Sequence, residues 1–250
     1  MKTNTSTAAA DRLAAEIEEN PITEVGIPLA QRILKLLSFG LVGGLGDPGP
    51  GKMCVEAAVC YAMGEGHGTN PSCVAEDVRS IKIGINDLSG YSSDSMRGRI
   101  LRHMAIAQLG SIRSEFNVVK FHKHLDTHIT REILVPAMCK ISKNKAYRRL
   151  LANFYTMPVS NALEKMETAL NDAKEGSFLH DFFGDYWDEW RSFEDGVQNA
   201  ASNIEILDDN PYELNDRVLT KLARIVVDAL RAGGSPGIKL MDKLCPLPKR

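Results

Sequence analysis

The sequence is short of the features that most quickly assign a function. A dominant charge is missing: 30 lysines and arginines stand against 32 aspartates and glutamates over 250 residues, a net charge of −2. Without a bulk positive field, nothing draws nucleic acid or an anionic membrane non-specifically. No apolar run reaches the ~18 residues of a membrane-crossing helix. The longest apolar region, residues 27–45, is broken by Pro28, Gln31, Arg32 and Lys35. The first residues have early acidic groups and no apolar signal-peptide core. Five cysteines (54, 60, 73, 139 and 245) are an odd number, which argues against a disulfide framework. A cytoplasmic protein is the resulting expectation. Aromatic residues are only 6% of the chain, and no segment sustains the strict alternation of a half-buried strand. The sequence contains no G-x-S-x-G, kinase or dinucleotide-binding pattern. No resident cofactor is expected.

Helical periodicity is abundant. Residues 7–20 carry Leu13 and Ile17 at helical spacing before Pro21. Residues 53–63 place Val55, Ala58, Val59 and Ala62 on one side, and residues 73–88 do the same with Val74, Val78, Ile81 and Ile85. Ser72 has the chemistry of an N-cap for the second of these helices. Further helices are expected over 96–109, over 115–141 with a kink near Pro136, over 144–175 in one or two pieces, and over 217–232. The expectation is an all-α bundle of about eight to ten helices. A soft division is expected near residue 112, giving units 1–112 and 113–250, and a single domain would also suit the length.

Chemistry concentrates in GDPGPGKMCVEAAVCYAMGEGHGTNPSC, residues 46–73. Its prolines and glycines lead into a helix whose first turn carries Lys52, Met53 and Cys54. A helix N-terminus presents unpaired N–H groups and partial positive charge, so an anion is one candidate occupant. A lowered Cys54 pKa is another consequence, with His67 as the base and Glu56 or Asp77 orienting it. A buried, unreactive cysteine is the commoner outcome. Zinc on Cys54, His67 and Cys73, with Cys60 in range by sequence, lacks the close ligand pairs of structural sites. Gly46, Gly51 and Lys52 approach a P-loop, but Met53 replaces the hydroxyl residue and Pro48 and Pro50 remove two N–H donors.

Elsewhere, His124 and His128 share a helix face with His122 nearby, read as a solvated face because the H-E-x-x-H pattern is missing. Arg97, Arg99 and Arg102 form one basic cluster and residues 143–149 another; arginine forks suit phosphate or carboxylate. The aromatic, acidic residues 180–190 read as core, with a partner surface as the alternative.

The stretch PGKMCVEAAVCYAMGEGHGTNPSCV, followed by IKIGINDLSGYSS, AIAQLGS and a closing GGSPGIKLMDKL, resembles a family of uncharacterised bacteriophage and bacterial proteins with a PGxMCVEAAVCxAxGxxHxDxPxCV core. Thr69 stands where that core has an acidic residue. The resemblance implies a phage or mobile-element setting and no particular activity. The expectation is a non-enzymatic accessory protein that binds a host protein or a small anion such as a nucleotide signal. Its ligand would lie near Lys52, Met53, Cys54, His67, Asn70, Arg97 and Arg99. A cysteine-dependent hydrolase or transferase using Cys54 and His67 is the second reading and a virion or assembly component the third. Homo-oligomerisation is compatible with each, and membrane partners are not expected.

Overall fold

The computed structural model describes residues 4–88, 90–136, 145–171 and 216–248. These residues form an all-α protein of ten α-helices with no strand. The helices are α1 (Asn4–Glu19), α2 (Ile27–Leu37), α3 (Val55–Met63), α4 (Glu76–Asp87), α5 (Asp94–Ala107), α6 (Val118–Ile129), α7 (Lys145–Thr156), α8 (Val159–Asn171), α9 (Asp216–Gly233) and α10 (Gly237–Leu244). None of the described helices is long and apolar enough to cross a membrane.

The chain groups into two compact units. One comprises Met1–Phe121 with Leu214–Arg250, and the other His122–Glu213. The first is organised around α3 and α5. Every residue of α3 except Tyr61 is buried, so its neighbours must cover it on all sides. α5 buries Ile100, Leu101, Met104, Ala105, Ile106 and Ala107 against α2, α9 and α10. α9 supplies a stripe of Leu219, Leu222, Ala223, Val226, Val227 and Leu230, the i, i+3/i+4 pattern that a core-facing helix requires. Gly98 lets α5 approach α2 closely: an added Cβ would stand 2.5 Å from the Leu37 carbonyl oxygen.

Helix α3 begins two residues later than the periodicity suggests, because Cys54 is its extended N-cap. Helix α4 begins at Glu76 with Ala75 as N-cap, and Ser72 lies outside it. Ser72 instead joins its backbone N–H (3.1 Å) and its hydroxyl to the Glu65 carboxylate, closing the connecting loop. Ser111 reaches across to accept the Ala75 N–H at 2.9 Å.

In the second unit, a π-helical segment, Thr130–Leu134, follows α6 directly. Arg131 donates from Nε to the Phe154 carbonyl and from Nη2 to that of Met157, both at 2.7 Å, which gives partners to two carbonyls at and just beyond the C-terminal end of α7. His124 and His128 stack with centroids 4.1 Å apart, and His128 Nδ1 meets Glu132 Oε1 at 2.8 Å. Cys139, the first two residues of the basic stretch 143–149 and the aromatic residues 180–190 lie outside the described residues.

Candidate functional site

The loop before α3 folds onto itself. Gly46 bridges Met53 in antiparallel fashion, Val42 N donates to Met53 O at 3.1 Å, Asp47 N to Lys52 O at 2.8 Å, and Cys54 N to Leu45 O at 3.2 Å. Gly46 has φ +70°, and a Cβ there would run into the Lys52 carbonyl oxygen, so the turn depends on glycine. The donors of the α3 start are consumed inside the protein. Val55 N donates to Asn86 Oδ1 at 3.2 Å, Ala57 N to Cys54 Sγ at 3.4 Å, and Ala58 N to Cys54 O at 3.0 Å. Asn86 also donates from Nδ2 to Val42 O at 3.0 Å, so one buried amide ties α4 to both the loop and the helix start.

Behind that helix start lies a polar cluster absent from the sequence reading. Lys82 Nζ stands 2.9 Å from Glu56 Oε1, with the two side chains 1% and 0% exposed. Gln108 Nε2 donates to Glu56 Oε2 at 3.3 Å. The Lys82–Glu56 contact is short without being aligned as a hydrogen bond, and Gln108 Oε1 has no partner among the described residues. Burial pushes Glu56 up and Lys82 down, both toward their neutral forms, while each charge opposes the other's shift. Such a pair is costly to form and more costly to break, because removing one partner strands a charge in a low-dielectric interior.

The thiols around this cluster are protected. Burial raises Cys54, opposed by the Ala57 N–H that points at its sulfur. Burial also pushes Cys60 to about 12 and Cys73 to about 11. The Cys73 thiol lies 3.6 Å from the Met63 sulfur, and the Asn70 backbone bonds the Cys60 thiol. Thiols held above their ordinary range are poor nucleophiles at neutral pH.

The sequence-selected residues therefore separate in space. Met53 and Cys54 are buried parts of the closed loop, while Lys52 and Asn70 are exposed. His67 is half-buried, its Nε2 has no partner among the described residues, and no hydrogen bond links it to Cys54. Among the described residues no three His, Cys, Asp or Glu side chains are grouped to hold a metal ion. Arg97 is committed within the fold: its Nη1 donates to Leu41 O at 3.2 Å and meets Asp94 at 3.0 Å, and its guanidinium lies 4.7 Å over the Tyr91 ring.

Arg99 is placed differently. With Arg102 one helical turn on, it borders a cleft of about 360 Å³ where α2, α5 and α10 meet. Leu34, Leu37 and Leu244 make its apolar walls, Ser38 and Ser95 add hydroxyls, and the Cys245 thiol lines it. Arg99 and Arg102 are exposed and have no carboxylate partner among the described residues. Arg102 also opposes the burial that raises Cys245. The arginines carried the signal for this site, as a basic cluster at i, i+3; nothing local announced that α10 would supply the opposite wall. Compared with known protein families, curated proteins and solved structures, the chain matches none.

Proposed function

We propose that this chain is a non-enzymatic binding protein, of the accessory type that its motif core resembles, taking a small anionic molecule into the cleft between α2, α5 and α10. The observation that carries the reading is the pair of guanidiniums, Arg99 and Arg102, exposed beside apolar walls and without a carboxylate partner among the described residues. Arginine forks match phosphate and carboxylate oxygens in two-point fashion, and the leucines offer contact to the rest of the ligand. The volume lies within the usual range for small-molecule pockets, roughly 300–1,000 Å³. The buried, raised thiols favour binding over thiol catalysis. A nucleotide signal captured from a host is one ligand of this chemistry.

The test is calorimetric titration of the intact protein with nucleoside mono- and diphosphates, cyclic dinucleotides and medium-chain carboxylates. At least one class should bind and lose about tenfold or more in affinity in Arg99→Gln, as expected for a charge-assisted hydrogen bond worth ~1.5–3 kcal/mol. Binding that survives unchanged in the Arg99→Gln, Arg102→Gln double variant, or no binding by any class, overturns the proposal.

A further inference from the structure

A second cleft, of about 380 Å³, lies among three loops of the first unit and uses none of the residues of the arginine cleft. Its walls are residues 23–25 ahead of α2, Ser72 and Cys73 ahead of α4, and the turn after α5 at Gly110, Ile112 and Arg113. Two of these walls are stitched together. Gly110 N and Ile112 N both donate to Cys73 O, at 3.0 and 3.4 Å, and Arg113 N donates to Gly110 O at 3.2 Å. The chamber is thus held open by backbone bonds on one side.

Its charges are unusual. Glu24 and Arg113 line the same cleft with opposite sign, yet no ion pair joins them and neither charged group has another partner among the described residues. Exposed opposite charges that line one concavity without pairing match a ligand that itself carries both signs. The same lining includes Val25, half-buried, and Ile112, which is 59% exposed despite being a large apolar side chain. An apolar side chain on the ligand would cover that surface.

We infer that this cleft binds a zwitterion of α-amino-acid type with an apolar side chain: its ammonium toward Glu24, its carboxylate toward Arg113, its side chain over Ile112 and Val25. An isolated anion would meet Glu24 and an isolated cation would meet Arg113, so each single-charge ligand encounters one unfavourable group.

The experiment is calorimetric titration of the full chain with L-leucine and L-phenylalanine, alongside N-acetyl-L-leucine, which lacks the ammonium, and L-leucinamide, which lacks the carboxylate. The expected result is binding of the amino acids at least tenfold tighter than either derivative. Glu24→Gln should erase the preference over the N-acetyl form while keeping the preference over the amide, and Arg113→Gln should do the reverse. Both residues are exposed, and thermal melting of each variant confirms its fold. No binding of either amino acid, or equal affinity for the zwitterion and its two derivatives, overturns the inference. Because Arg99 and Arg102 are not involved, the Arg99→Gln, Arg102→Gln variant should bind leucine as the wild type does. Loss of leucine binding there would reassign the ligand to the other cleft and overturn this one.

Discussion

The start of α3 and the cleft beside α5 both carry charge, and they handle it in opposite ways. At α3, Glu56 and Lys82 are withdrawn from water and paired with each other, the helix donors are taken by Asn86 and Cys54, and the glycine-rich turn closes on its own backbone. At the cleft, Arg99 and Arg102 sit in solvent beside leucines with no counterion among the described residues. Self-satisfied polar groups build a fold, whereas groups left unsatisfied at a concave surface are available to a ligand. The most conspicuous motif of the sequence thus serves the interior.

The contrast predicts which substitutions are felt as stability and which as binding. The largest effect belongs to Lys82→Ala, which strands Glu56: a loss of ~3–5 kcal/mol in chemical denaturation. The paired replacement Glu56→Gln with Lys82→Met should restore most of that loss, since exchanging a buried ion pair for well-packed neutral groups is often neutral or favourable. If the double variant is as unstable as the single one, electrostatics is not what the pair contributes.

Next comes Asn86→Ala, which leaves the buried Val55 N–H and the Val42 carbonyl without their amide. The expected cost is about 1–3 kcal/mol, read from the urea midpoint, with faster hydrogen exchange across residues 42–55. His103 follows. It is buried on α5 beside Arg102, and burial, reinforced by that charge, lowers it to about 4 from an ordinary value near 6.5. The unfolded chain therefore binds its proton first. Its contribution to stability is complete above about 6.5 and is lost as pH falls toward 4. Melting temperature should fall with pH across that window, and His103→Gln should flatten the slope. The smallest effect on stability is expected for Arg99→Gln with Arg102→Gln, within about 0.5 kcal/mol, although it should remove the anion binding proposed for that cleft. A large loss of stability would mean that the two arginines belong to the fold as Glu56 and Lys82 do.

Much of the fold was legible because helical periodicity is a local property. Val55, Val59 and Ala62, or Val78, Ile81 and Ile85, disclose a buried face without knowledge of what covers it. The helix Gly237–Leu244 is not among the helices that the periodicity predicts, since eight residues between glycine and proline punctuation hold little periodic information. The Glu56–Lys82–Gln108 cluster is not legible locally because its members are 26 or 52 residues apart, on three different segments. Signals for it were nonetheless present. Glu56 is the only charged residue in an otherwise apolar run from Met53 to Met63, and Lys82 falls on the same stripe as Val78 and Ile85. The closure of the α3 start was hidden for a related reason: its acceptor, Asn86, comes from the far end of α4.

The buried cluster also bears on how the chain assembles. Glu56 rides on α3, Lys82 on α4, and Gln108 at the end of α5. An intermediate that docks two of these helices and leaves the third in water either keeps one ion from its counterion or leaves a carboxylate oxygen without its donor. Packing only two of the three helices leaves a polar group of the cluster without its partner, so the cluster favours the joint packing of α3, α4 and α5 over any partial arrangement.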